Sequence, residues 1–178
     1  MIPVVEALKQ AIAHYRIKTD YIDLISYASD AGFYSLIPKV IVQPNNKSEI
    51  QSGFKTAQQN KEADVFRACG TSLSGQTITD GILVDLSQHW DKIEYQPSTN
   101  TIQFQPGITG AMVNKHLLPF GKKIGPDPSS ISAAMMGGIL SNNSSGMCCG
   151  VKYNSYHTLN HASFILPSGA AFDTSPTD

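Results

Sequence analysis

Apolar positions Val4, Val5, Leu8, Ile12 and Tyr15 recur at helical spacing, so the stretch 3–16 predicts a helix. Residues 17–38 are mixed and predict only a turn at Ser29-Asp30-Ala31-Gly32. The run Pro38-Lys39-Val40-Ile41-Val42-Gln43-Pro44 reads as a short strand bracketed by prolines. Asn46 then predicts a helix cap, Glu49 completes a capping-box pattern, and the helix runs to about Asn60. Val65-Phe66-Arg67 and the run from Gly81 to Leu86 predict two further strands, the second apolar enough to be covered on both faces. Strand, helix, strand, loop, strand is the sequence of a small α/β lobe.

After residues 87–91 the period changes. Lys92–Gln96 and Thr101–Gln105 both alternate apolar and polar positions, and Pro97-Ser98-Thr99-Asn100 joins them, which predicts an antiparallel hairpin with one buried face. Thr109 to Leu118 predicts a helix, with Ile108 as a staple residue and Gly121 beyond its end. Ser130 is expected to cap a helix containing Ala133, Ala134, Met135 and Met136. Ala162–Leu166 and Ala170–Asp173 predict a last hairpin around Pro167-Ser168-Gly169. The expected fold class is therefore α+β and two-lobed. A small α/β lobe (about 20–88) precedes a lobe with an antiparallel sheet and helices (about 89–178).

Composition narrows the function classes. The 178 residues are 41% hydrophobic and 15% charged, which describes a globular chain with a core. A formal net charge of −1 without a basic stripe argues against a nucleic-acid surface. No apolar stretch reaches the 18 or so residues of a membrane span, and Met1-Ile2-Pro3-Val4-Val5-Glu6 lacks the pattern of a secretory signal. Three cysteines, Cys69, Cys148 and Cys149, form no disulfide framework and fit a reducing cytoplasm. Cys148-Cys149 has no second ligand pair at metal spacing, so small buried thiols are the expectation and a metal site the alternative. No His stands in a local catalytic motif.

Two segments carry the chemistry. Arg67-Ala68-Cys69-Gly70-Thr71-Ser72-Leu73-Ser74-Gly75-Gln76 and the stretch from Gly137 through Gly138, Asn142, Asn143, Ser144 and Ser145 to Gly146 combine glycines with hydroxyl and amide side chains. Glycines allow close approach and φ > 0, and successive amides then form an anion-binding concavity. The first segment has neither dinucleotide-fingerprint nor Walker A spacing, and a tight surface turn is its plain alternative. For the second segment the alternative is a solvated loop. Between them, Pro126 and Pro128 fix φ on both sides of Asp127, and Ser129-Ser130 follow. That loop suits a rigid ligand contact or simply a stiff connection.

Four segments in order resemble the FAD-binding domain of the superfamily that includes vanillyl-alcohol oxidase and p-cresol methylhydroxylase. They are Ile37-Pro38 through Pro44 with the following helix, Arg67 to Gln76, Gly125 to Ser130, and Gly137 to Gly146 with Cys148-Cys149-Gly150-Val151-Lys152-Tyr153. The chain is most similar to the D-lactate dehydrogenase and glycolate oxidase group, and the run from Ser144 to Val151 to large members that carry an iron–sulfur domain. The resemblance implies FAD held non-covalently. Pro44 and the Gly70–Gly75 loop would hold its pyrophosphate; Asp127 to Ser130, the Gly138–Gly146 segment and Tyr153 would line the remainder. It implies an FAD-dependent oxidoreductase acting on a small 2-hydroxy acid, with no catalytic residue in this chain. An iron–sulfur cluster would belong to the full-length parent only. The implied location is cytoplasmic, or membrane-peripheral for that parent. Two other readings stay open: a nucleotide-binding module without turnover, and a different flavin oxidoreductase such as a UDP-sugar reductase. The flavin domain of such enzymes continues past residue 178, so the resemblance implies that this chain, which closes on Ser175-Pro176-Thr177-Asp178 just after a hairpin, is a fragment with an incomplete second lobe, inactive alone.

Overall fold

A computed structural model describes residues 3–175. The expectations placed on Met1-Ile2 and on Pro176–Asp178 lie outside the described residues. The architecture is α+β, as the pattern predicts, and divides into two units. One comprises the described residues before 87 together with those after 160; the other is 87–160.

The first unit is built on a four-stranded sheet ordered β1-β2-β4-β3, where β1 is Ile17–Lys18, β2 Val40–Val42, β3 Asp64–Arg67 and β4 Ile82–Asp85. The strands β2, β4 and β3 are parallel, and β1 joins β2 antiparallel. All four residues of β4 are buried, as the apolar run Ile82-Leu83-Val84 predicts for a strand covered on both faces. Helix α3, Lys47–Asn60, connects β2 to β3. Val4, Val5, Leu8, Ile12, Val40, Val42, Ile82 and Val84 form the core.

The helix expected over 3–16 is shorter. Helix α1 ends at Leu8, and a 3-10 turn, His14–Arg16, leads straight into β1. The chain bends because Ile17 must pair with Val42 and Arg16 must reach Glu49. Helix α2, Tyr21–Ser26, arises in the stretch read as mixed and buries none of its residues. The terminal hairpin, β7 (Ser163–Ile165) with β8 (Ala171–Asp173), closes on Gly169 at φ 84 as expected. It belongs to this first unit, not to the second lobe: Gln51 Nε2 of α3 donates to Gly169 O at 2.7 Å.

The second unit begins with the predicted hairpin, β5 (Ile93–Gln96) and β6 (Thr101–Phe104), whose Ile93, Tyr95, Ile102 and Phe104 pack on one core. Helix α4, Gly110–Leu117, is capped by Thr109, which accepts from Met112 N at 3.2 Å. Ile108 and Val113 share that core, as a hydrophobic staple requires.

The helix expected from Ser130 forms differently. Residues 129–133 are turns, and Gly110 N donates to Ala134 O while Thr109 bridges Met135. This backbone pairing keeps 134–135 extended, so helix α5 starts at Met136 and runs to Ser141. Gly137 and Gly138 are thus helical, and only the later part of the second glycine segment is a loop. A short helix α6, Ser155–Thr158, follows, capped by Asn154.

Candidate functional site

In the first unit the site residues leave one edge of the sheet. Val42 and Phe66 both stand level with Val84 across the parallel strands. Pro44, just past β2, and the loop from Gly70, just past β3, therefore emerge together at the carboxyl ends, where open parallel sheets receive ligands. The Pro44 turn is rigidly held. Gln43 N donates to Arg16 O at 2.9 Å, Arg16 Nη1 to Gln43 O at 3.0 Å, and Asn45 N to Glu49 Oε2 at 2.9 Å. Asn46 accepts from Glu49 N at 3.0 Å, as a cap should, but Glu49 does not close the predicted box. Its carboxylate turns to Asn45 and Arg16, because a buried guanidinium needs a counter-charge.

The Gly70 loop makes its own scaffold. Gly70 and Gly75 sit at φ 71 and 76, where side-chain-bearing residues are strained. Ser72 Oγ bonds Gln76 Oε1 and accepts from Gln76 N at 3.3 Å; Ser74 N donates to Gln76 Oε1 at 3.2 Å. By contrast, the amides of Thr71, Ser72, Leu73 and Gly75 meet no acceptor among the described residues. Leu73 is exposed, and its carbonyl packs on Gly32. A loop of left-handed glycines with unmet amides fits an anionic ligand better than it fits a closed surface turn. Arg67 points elsewhere: Nη1 donates to Tyr27 O at 3.1 Å and Ser29 O at 2.8 Å, and the guanidinium stands 5.3 Å from the Tyr27 ring.

In the second unit Pro126 is buried, and Asp127, partly exposed, is bonded to the protein's own backbone. Its carboxylate accepts from Cys148 N at 3.2 Å and Cys149 N at 3.3 Å. Although desolvation opposes it, the Cys148 and Cys149 side chains, and then these amide bonds, hold the Asp127 carboxyl below the usual carboxylate range. Gly146 packs so closely on Asp127 that a Cβ would collide with its carboxylate and carbonyl. Gly137 is likewise closed, against Pro106 at 2.7 Å. Gly138 is the opposite: it is exposed, and a Cβ there would meet nothing within 4 Å. Asn143, at φ 46, ends α5 in a Schellman turn, with Ser144 N donating to Ile139 O and Asn143 N to Leu140 O. Its Oδ1 accepts from Tyr156 N at 3.0 Å.

Asn142, Ser145 and Ser129 are exposed, and Pro128 and Ser130 partly so. The Ser130 carbonyl accepts from Ala133 and Ala134, so its role in the backbone turn is settled without its hydroxyl. Tyr153 lines a shallow depression with Lys123, Gly125, Cys148 and Cys149. Of the expected buried thiols only Cys149 is buried; Cys148 and Cys69 are exposed. Among the described residues no group of His, Cys, Asp and Glu could hold a metal ion, and no helix is long and apolar enough to cross a membrane.

The sequence reading missed Asp85, Tyr27 and Gln43. Asp85 is 1% exposed, and its Oδ2 accepts from Tyr27 Oη at 2.9 Å and Gln43 Nε2 at 3.0 Å. Burial and the Asp85 charge push the Tyr27 phenol up to about 12. The available signal was an acidic residue closing an otherwise apolar strand.

This chain belongs to the family described as the FAD binding domain, whose model matches residues 38–175. D-2-hydroxyglutarate dehydrogenase of Escherichia coli K12 is 27% identical over 162 residues, 89% of this chain and 16% of the relative. Glycolate oxidase subunit GlcD of the same organism is 25% identical over 153 residues, 84% of this chain and 30% of the relative. An alkyldihydroxyacetonephosphate synthase structure superposes with a TM-score of 0.84 at 19% identity, covering 97% of this chain and 36% of that one. The chain shares their FAD-binding fold and spans a third or less of the length of the two curated relatives.

Proposed function

We propose that this chain supplies the FAD-binding portion of a flavin-dependent dehydrogenase or oxidase acting on a D-2-hydroxy acid. The carrying observation is the Gly70–Gly75 loop, which sets unmet amides beside the Pro44 turn at the carboxyl ends of the parallel strands and lies within the family match. In this reading Pro44 and the amides of Thr71, Ser72 and Leu73 hold the diphosphate without a covalent link. The exposed face of Gly138, the Asn142-Asn143 turn and Tyr153 line other parts of the cofactor. Arg67 and Asp127 shape the cradle from behind, since their polar atoms are engaged with backbone groups. FAD held by these residues would supply the two-electron acceptor for oxidation of the hydroxy acid.

The names of the two curated relatives, a 2-hydroxyglutarate dehydrogenase and a glycolate oxidase subunit, favour a small 2-hydroxy acid. The residues that act on it belong to the remainder of a longer parent, as does any iron–sulfur cluster, and the chain alone binds cofactor without turnover. A cytoplasmic location suits three cysteines in free thiol form.

The test is direct. Purified chain is mixed with FAD, desalted, and its visible spectrum recorded. Retained flavin absorption supports the cradle; a colourless protein that binds no FAD by calorimetry overturns it. Anaerobic D-lactate or D-2-hydroxyglutarate should bleach the flavin of the parent and leave that of this chain oxidised.

A further inference from the structure

A fully buried carboxylate at the end of a sheet strand has to be explained by what it holds, because an unpaired charge there would be costly. Asp85 ends β4 between the two neighbouring parallel strands. Toward β2, it accepts from the Gln43 side chain, and Gln43 is the residue before Pro44. Toward β3, its register partner is Arg67. Above, it accepts from Tyr27 Oη. Tyr27 in turn lies against the Arg67 guanidinium, which also takes up the Tyr27 and Ser29 carbonyls.

That guanidinium packs on Gly70, 2.6–2.7 Å from where a Cβ would be, and Ala31 N donates to Gly70 O at 3.1 Å. Further on, Asp30 accepts from Thr77 Oγ1 at 3.4 Å and Gly32 packs on the Leu73 carbonyl. One carboxylate thus stands at the junction of two chains of contact, one ending at Pro44 and one ending at the Gly70–Gly75 loop.

We infer that Asp85 is a positioning residue for cofactor binding: through Gln43 and Tyr27 it fixes the Pro44 turn and the Gly70–Gly75 loop as one preorganised edge. The inference rests on the FAD reading above for its ligand, but not for its geometry. Buried networks of this kind specify one arrangement when every member is satisfied. A preorganised loop spares the ligand the ordering of its contacts. The Tyr27 phenol is itself a reporter, since the neighbouring Asp85 charge is among the causes that raise it.

The experiment compares wild type, Asp85→Asn, Tyr27→Phe and the double variant, with Val5→Ala as a core change outside the network. Three readouts are taken: FAD affinity by calorimetry, exchange at the bonded loop amides of Ala31, Ser74 and Gln76, and phenol titration by ultraviolet difference spectroscopy. Asp85→Asn and Tyr27→Phe should each weaken FAD binding about tenfold or more, non-additively, because they cut the same chain. Exchange at the loop amides should rise in both, and the Tyr27 phenol should titrate nearer its ordinary 10.0 in Asp85→Asn. Val5→Ala should lower the melting temperature without moving any of these. Unchanged FAD affinity and unchanged loop exchange in folded variants overturn the inference. If wild type itself takes up no FAD, the cofactor reading falls, and loop exchange still decides the positioning role. If Asp85→Asn does not fold, Tyr27→Phe alone carries the same comparison.

Discussion

Arg16 and Glu49 form a buried ion pair, with Arg16 Nη2 donating to Glu49 Oε1 at 2.6 Å and Nη1 to Oε2. The side chains are 6% and 11% exposed. The pair joins the end of the N-terminal segment to the first turn of α3, and both partners also hold the Pro44 turn. Removing one member leaves the other charged and buried, so Glu49→Gln should cost about 3–5 kcal/mol in urea unfolding.

The same pair sets an acid limb. The hydrogen bond from Arg16 holds the Glu49 carboxyl below its ordinary 4.5, against the opposing effect of burial. The unfolded chain therefore takes up this proton more readily than the folded one. The contribution is fully present above pH 4.5 and is lost as pH falls through the lower folded value. Unfolding free energy measured from pH 7 down to 3 should show this decline in wild type and a shallower one in Glu49→Gln. Equal slopes would contradict the assignment.

Gly146→Ala should be among the most damaging single methyl additions in the second unit. The new Cβ would collide with the Asp127 carboxylate and with its backbone carbonyl, and the carbonyl has no rotamer by which to give way. Relief requires Asp127 to leave the Cys148 and Cys149 amides. The expected loss is about 1–3 kcal/mol, the range for forcing volume into packed contact, read by thermal or urea unfolding. Gly150→Ala, at φ 52 but with nothing nearby, should cost only its backbone strain of about 1 kcal/mol.

Much of this was legible in the sequence for a physical reason. β4 is one unbroken buried run, and the apolar positions of β5–β6 alternate along the sequence and share one core, so each element announces its surroundings. Asn46 and Thr109 act locally as caps and need no tertiary partner to be read. The elements that were missed are set from a distance. β1 is two residues long and exists because Val42 and Ile41 offer it an edge. The start of α5 is fixed by Gly110 and Thr109, some 25 residues earlier in the chain. At the candidate site, the two glycine segments were visible from composition. Arg67 and Asp127 lie in segments that the family resemblance places at the cofactor. Their actual acceptors and donors, the Ser29 carbonyl and the Cys148 amide, lie 38 and 21 residues away. No local pattern reveals such partners.

Asp64 is a weak point in the first unit. It lines an apolar recess with Phe54, Phe66, Ile50 and Gly53, and its Oδ2 is buried without a partner among the described residues. Burial pushes its carboxyl above the ordinary 3.8. The folded chain therefore keeps this proton to higher pH, and stability falls as pH rises between 3.8 and the raised value. Asp64→Val should remove that fall and stabilise the chain at neutral pH by about 1 kcal/mol, seen as a higher urea midpoint with an unchanged m-value. A lower midpoint would mean that Asp64 serves a contact worth more than its burial costs.

Gly138 separates cofactor binding from folding most cleanly. It lies inside α5, where glycine is less favourable than alanine by about 0.5–1 kcal/mol, and a Cβ there would touch nothing in the protein. By stability alone alanine is the better residue. If the exposed face of Gly138 meets FAD, the added methyl takes up space the cofactor needs. Gly138→Ala should then raise the unfolding midpoint and weaken FAD binding about tenfold, equivalent to about 1.4 kcal/mol. Gly137→Ala, whose Cβ would press on Pro106 at 2.7 Å, should instead lose stability. Calorimetric titration with FAD and urea unfolding on the two variants decide the matter. A more stable Gly138→Ala that binds FAD as tightly as wild type would remove this glycine from the cradle.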